Sequence, residues 1–218
     1  LKLGDAKGIW VNEYLQTSHP DIYAVGDAIE FKNPITGQSM NTYLAGPANK
    51  QGRICANNIV LGNKQSYQGA INTAIVKVFD MTVATTGTAA KHLSSCGIPH
   101  IISHTQSGSH AGYYPGAKNM HIQLAFSPED GRVLGAQIAG FEGVDKRIDI
   151  FSSVIKRNST IDELTEFEHA YAPPYSSAKD PVNIAAFAAE NILLKRTNMF
   201  YWNEINELPT DRVLLDVR

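Results

Sequence analysis

Only two cysteines, Cys55 and Cys96, occur in the 218 residues, and they show neither CxxC nor CxxxxC spacing. Two are too few for a disulfide framework, and such sparing use fits a reducing, cytoplasmic setting. Cys55 falls among small residues of an expected helix and Cys96 follows another just before Gly97, so both read as inert buried thiols. Runs of basic residues are missing as well. With 19 Lys and Arg against 21 Asp and Glu, the net charge of −2 argues against a nucleic-acid or membrane-surface partner. No apolar stretch reaches membrane-spanning length, since Lys77 and Asp80 break one run and Glu190 another. No signal peptide is evident. The seven histidines form no ligand cluster: His100 and His104 stand four apart in strand-like sequence, and two ligands do not close a zinc site, so no metal is expected. The chain opens on Leu1 and ends in what reads as an interrupted strand, so both ends are expected to lie inside a longer protein.

What is present is an ordinary globular composition, 43% apolar and 18% charged, long enough for one large domain or two small ones. Gly8 to Asn12 reads as a short strand. Ile22 to Val25 reads as a short buried strand ending in Gly26-Asp27. In open α/β sheets the carboxyl end of a strand is where nucleotides sit, glycine allows close approach, and a carboxylate accepts hydrogen bonds from ligand hydroxyls. Residues 31–43 read as a polar loop turning at Asn33-Pro34 and Gly37. Leu44-Ala45-Gly46-Pro47-Ala48 opens a helix running to about Leu61, with Pro47 suited to the first helical position. Ala48, Gly52 and Ala56 form a stripe of small residues for close packing, and the helix amino end favours an electron-rich ligand.

From about residue 69 the pattern changes. Two β-rich runs flank Asp80 between Ala74 and Thr86, a short helix covers 88–96, and Pro99 to Thr105 reads as a strand. Met120, Ile122, Leu124 and Phe126 alternate as in a half-buried strand, and Asp130-Gly131 turns the chain into a partner at Val133 to Ala139. A helix with Ile148, Phe151, Val154 and Ile155 on one face follows. Asp180-Pro181 caps a last helix running to about Lys195. The expected class is α/β followed by a separate α+β unit with an antiparallel sheet.

Two loops join phenols to glycine or proline: His110 to Gly116, with Tyr113 and Tyr114, and Tyr171 to Ser177, with Tyr175. A phenol held near a sulfur leaving group can stabilise a developing thiolate or donate a proton, although most tyrosines serve packing. His169 reads as a polar surface or loop residue.

The wording of these segments is more specific than their spacing. Thr17 to Asp27 resembles the second flavin-binding motif of the FAD-dependent pyridine nucleotide-disulfide oxidoreductases. Tyr171-Ala-Pro-Pro-Tyr175-Ser-Ser-Ala-Lys-Asp-Pro-Val-Asn183 resembles the C-terminal motif of their coenzyme A-disulfide reductase and NADH oxidase branch. Thr85-Thr86-Gly87 and Leu134 to Ile138 look like its interface domain, and Arg212 to Arg218 is similar to the opening strand of a rhodanese domain. The resemblance implies the end of a Rossmann-like FAD domain over 1–66, a dimerisation domain over 67–196, and a linker with the start of a rhodanese over 197–218. It implies FAD held by Gly26 and Asp27, with Leu44, Ala45, Pro47 and Ala48 beside the isoalloxazine. Electrons from NAD(P)H would then serve a sulfur substrate carrying coenzyme A, or a polysulfide. It further implies a homodimer in which Tyr113 and Tyr171, with Tyr114 and Tyr175 as close rivals, reach the partner's sulfur site. No His-Pro-Thr…Glu pair is present, and the first FAD fingerprint, the NADH domain and the redox cysteine are expected upstream. A water- or peroxide-forming NADH oxidase shares most of these motifs, and the isolated chain is alternatively an inert dimerisation module.

Overall fold

The computed structural model describes residues 1–209, 211–213 and 215. The first part is a three-stranded sheet. Strand β1 (Ile9–Trp10) runs parallel to β2 (Ile29–Lys32), with Ile9 beside Ile29, and β2 turns antiparallel to β3 (Ser39–Met40). Helix α1 (Ala45–Leu61) follows. Leu15, Ile29, Phe31 and Ala70 form the small core here, with Ile54, Cys55 and Tyr67 packed against them.

The second part is a five-stranded antiparallel sheet in the order β4 (Ala74–Val78), β5 (Met81–Gly87), β8 (Val133–Gly140), β7 (Asn119–Phe126), β6 (Ile101–Gly108). Short helix α2 (Ala90–Ser95) links β5 to β6. Helices α3 (Val144–Lys156), α4 (Ile161–Thr165) and α5 (Pro181–Leu193) cover one face. The alternation along β7 puts Met120, Ile122, Leu124 and Phe126 into one core with Ile148, Phe151, Val154, Ile155, Val182 and Ala186. Glycine is required where this sheet narrows. At Gly87, φ is +73°, and a Cβ there would lie 2.4 Å from the Leu134 carbonyl oxygen. The expected mixed architecture with an antiparallel sheet is the one observed.

Several local expectations need correcting. Ile22 to Val25 is not a buried strand. Only Tyr23 makes a ladder bridge, to Gln16, while Ile22 and Val25 are 42% and 36% exposed. The reason is that the backbone of this stretch bonds only to residues 15–19 just before it, through Ala24 N–H to the Leu15 carbonyl, Thr17 N–H to the Ile22 carbonyl and Ile22 N–H to the His19 carbonyl, with no described strand on its other edge. The true strand comes after the motif, at β2, where Ile29 and Phe31 are the buried residues. Residues 31–43 are therefore a hairpin rather than a polar loop, because Asn33 Oδ1 accepts from the Ile35 and Thr36 N–H groups and closes the turn. Helix α1 begins at Ala45, which makes Pro47 its third residue, still within the turn whose N–H groups have no helical acceptor. Its inward face is Gln51, Ile54, Cys55 and Asn58 rather than the small-residue stripe, and nothing lies within 4 Å of a Cβ at Gly52. The rhodanese-like strand falls largely outside the described residues, which lack Leu214 and 216–218.

Candidate functional site

The structure places the candidate residues in two groups at opposite ends of α3. The helix has 13 residues, so the ends are about 20 Å apart.

At the carboxyl end lies the group around α1. Gly26–Ala28 is a single 3-10 turn leading into β2, with Gly26 at φ +75°. It sits against α1, where a Cβ on Gly26 would be 3.9 Å from Ala48 Cβ. Gly26 N–H donates to Oε1 of the fully buried Gln51, at 2.6 Å. Asp27 is exposed on this turn, so its carboxylate is free to meet a ligand hydroxyl. No side chain caps α1 at Leu44, and the first helical bond runs from Ala48 N–H to the Leu44 carbonyl. The N–H groups of Ala45 and Gly46 are thus left without a helical acceptor, and Pro47 has none to offer. Electron-rich oxygens are what such an end attracts. Gln51 Nε2 and Tyr67 Oη are buried nearby without a hydrogen-bond partner. Burial pushes the Tyr67 phenol up, with the facing Gln51 amide pulling the other way. A cleft of about 300 Å³ opens between α1, residues 69–73 and α3, lined in part by Gly46, Pro47, Lys50, Tyr67, Asp149 and Lys156. Lys156 donates to the Gln68 and Gly69 carbonyls at 3.1 Å, and burial, with Lys50 nearby, holds its ammonium below the usual range. An open glycine turn, an exposed carboxylate and an uncapped helix end together fit a cofactor with a hydroxylated chain and an electron-rich ring edge.

At the amino end of α3 lie the tyrosines. Tyr113 and Tyr171 come from loops 58 residues apart, yet their hydroxyls meet at 3.0 Å. Both phenols face solvent, at 77% and 46% exposure, so they are not core tyrosines. The bond to Tyr113 raises the Tyr171 pKa. Tyr175 is exposed beside them in sequence but is not part of the pair, and Tyr114 packs edge-on against the His110 ring, 5.7 Å between centroids. The two loops are joined by the Ala111 N–H, which donates to the Ser176 carbonyl at 2.9 Å.

Beneath them sits what sequence reasoning missed. Arg147 is completely buried and pairs with the equally buried Asp180, Nη2 to Oδ2 at 2.8 Å and Nε to Oδ1 at 3.0 Å. Lys146 Nζ donates to the Tyr175 carbonyl at 2.9 Å. Burial raises the Asp180 pKa, but the Arg147 guanidinium, the Ser176 hydroxyl and the Val182 N–H outweigh it and hold the carboxyl below the usual carboxylate range. A signal for this was legible. Arg147 falls between Val144 and Phe151, on the apolar stripe of an amphipathic helix, where an unpaired charge is not tolerated. His169 is not a surface residue: its side chain is 8% exposed, with Nδ1 at 3.9 Å from Asp180, because the loop folds back over the helix cap. Burial lowers its pKa, with Asp180 acting in the opposite sense.

Cys55 and Cys96 are half-buried free thiols, and burial pushes Cys55 upward, away from thiolate. Among the described residues no group of three or more metal-ligating side chains forms, and no helix is long and apolar enough to cross a membrane.

Residues 73–181 match the pyridine nucleotide-disulphide oxidoreductase dimerisation domain. The coenzyme A disulfide reductase of Staphylococcus haemolyticus is 40% identical over 193 residues, 88% of this chain and 43% of that protein. The NADH oxidase of Methanocaldococcus jannaschii is 38% identical over 190 residues, 87% of this chain and 41% of that protein. Among solved structures, reduced Bacillus anthracis CoADR-RHD superposes with a TM-score of 0.92 at 47% identity, covering 94% of this chain and 37% of that one. The NAD-dependent persulfide reductase of A. fulgidus gives 0.86 at 39% identity, over 89% and 36%. The chain thus spans less than half the length of these relatives. With its antiparallel sheet backed by α3 and α5, and with the match running from Thr73 to Pro181, it belongs to the pyridine nucleotide-disulphide oxidoreductase family and carries that family's dimerisation domain.

Proposed function

We propose that this chain is part of a homodimeric, cytoplasmic flavoprotein that uses NAD(P)H to reduce a coenzyme A disulfide, a coenzyme A persulfide or a polysulfide. FAD, when bound, would carry the electrons of the nicotinamide to an upstream cysteine. In this reading residues 1–66 close the FAD domain, 67–196 form the dimerisation domain, and 197–218 lead into a rhodanese. The observation that carries it is the phenol pair: Tyr113 and Tyr171, from loops 58 residues apart, meet at 3.0 Å on an exposed surface near the amino end of α3, while the cleft beside α1 meets that helix at Asp149, Ser152 and Lys156. The relatives' names add weight, since two are reductases of coenzyme A disulfide and of persulfide.

In this assignment Gly26 leaves its face open, and Asp27 accepts hydrogen bonds from the hydroxylated chain of the cofactor. The free N–H groups of Ala45 and Gly46, with Pro47 shaping the turn and Leu44 and Ala48 flanking it, stabilise negative charge at the ring's electron-rich edge. In a dimer, the Tyr113–Tyr171 pair is presented to the partner's sulfur site. Tyr171 donates a proton to, or hydrogen-bonds, the departing thiolate while Tyr113 orients it, and Tyr175 lines the approach.

A second reading is an NADH oxidase or peroxidase, favoured by the likeness to the M. jannaschii protein. The test is NADH consumption by the complete protein with coenzyme A persulfide or disulfide against oxygen. Faster turnover with the sulfur substrates is expected, and faster turnover with oxygen alone overturns the leading reading. The isolated chain is expected to be an inert dimerisation module, which stoichiometric tight binding of added FAD would contradict.

A further inference from the structure

We infer that the buried Arg147–Asp180 couple is a positioning device that holds the two phenols in register. This rests on the reading that the tyrosines serve a sulfur site. A buried ion pair alone is weak evidence of purpose, because apolar replacements are often as stable. Here the partners are informative. The guanidinium spans the base of the first tyrosine loop, Nη2 donating to the Ser109 carbonyl at 2.9 Å as well as to Asp180. The carboxylate holds the base of the second loop, since Asp180 Oδ2 also accepts from the Ser176 hydroxyl. The remaining bonds pin the couple itself: Nη1 donates to the Gly143 carbonyl at 3.1 Å, and Asp180 Oδ1 accepts from the Val182 N–H at 3.0 Å. One rigid planar fork therefore reaches both loops, in a geometry that a lysine cannot reproduce. Exposed phenols on separate loops have little packing of their own, and their 3.0 Å contact depends on the fork below.

The experiment uses the complete FAD-loaded protein with Arg147→Lys, Asp180→Asn and Ser176→Ala, the last as the mild variant that keeps the ion pair. Three quantities are read: coenzyme A disulfide turnover, NADH:ferricyanide turnover, and the alkaline titration of the phenols near 295 nm, assigned by difference from Tyr113→Phe and Tyr171→Phe. We expect the ratio of disulfide to ferricyanide turnover to fall roughly tenfold to a hundredfold for Asp180→Asn and Arg147→Lys, and less for Ser176→Ala. We expect the Tyr171 titration to move back toward the ordinary phenol range, about 10, as the pair separates. A fold that retains flavin, the turnover ratio and the phenol titration in all three variants overturns the inference. If Tyr113→Phe and Tyr171→Phe leave disulfide turnover intact, the sulfur-site reading fails instead, and the titration alone still reports whether the couple holds the phenols together.

Discussion

The two ends of α3 are built on different physical plans. At its amino end the two buried ions are paired and further bonded, Arg147 with Asp180, Ser109 and Gly143, and Asp180 with Ser176 and Val182, although His169 Nε2 beside them is buried without a partner. What that end presents to solvent is a fixed pair of phenols. At its carboxyl end the order is reversed. The exposed parts are bare backbone and small residues, Gly46, Gly52 and Ala56, while Gln51 Nε2 and Tyr67 Oη are buried without partners. A preorganised donor on a satisfied polar base suits a group that must meet its target in a fixed geometry. An uncapped helix end beside a small-residue surface suits the close seating of a large flat ligand.

Perturbations that strike one end should spare the other, and the largest effect should come from the phenols. In the complete protein, Tyr171→Phe together with Tyr113→Phe should lower disulfide reduction by roughly 10²-fold or more, with flavin content unchanged. Steady-state kinetics beside the flavin absorbance of the purified protein check this. Next comes Gly87→Ala, which forces a Cβ against the Leu134 carbonyl at φ +73° and should cost about 2–3 kcal/mol. Denaturant melts of the holoprotein would measure that loss, and the phenol titration should stay put in the folded protein. Asp27→Ala should weaken FAD retention by about 10- to 100-fold while leaving the phenol pair intact, read by FAD release during dialysis. Unchanged flavin content would remove Asp27 from the site.

The smallest effect is acid sensitivity at His169. Burial holds its folded pKa below the unfolded 6.5, so the folded chain binds fewer protons than the unfolded one. Its contribution to stability is complete above 6.5 and declines as pH falls from there through the folded value. His169→Gln should flatten the fall in Tm between pH 7 and pH 5, and an identical profile would show that the ring does not titrate in the fold. Asp180, held low by Arg147, acts in the same sense at lower pH: its stabilisation is present above the unfolded carboxylate pKa of about 4 and is lost as pH falls through the folded one.

Much of the second part was legible because its periods are clean. Met120 to Phe126 alternates, Ile148 to Ile155 recurs on one helical face, and Asp180-Pro181 is a cap, with Asp180 and Asn183 closing a capping box. The first part was less so. Ile22 to Val25 has the composition of a buried strand but no described neighbour on its outer edge, and composition does not say which edge is covered. Among the tyrosines, the family resemblance put Tyr113 and Tyr171 first, with Tyr114 and Tyr175 as close rivals, and the residues themselves gave no firm separation of neighbours. The fold pairs Tyr113 with Tyr171 and leaves Tyr175 apart, since that choice depends on loop geometry.

Local rules of period, turn and capping were enough to specify the strands and the helices α2, α3 and α5 of the antiparallel unit, though not short α4, because each depends on residues only a few positions apart. The meeting of two phenols 58 residues apart was decided only in three dimensions. So was the burial of Arg147 against Asp180, 33 residues away. A buried charge is stable only where a distant segment supplies the opposite charge, and no local pattern along the chain encodes that partner.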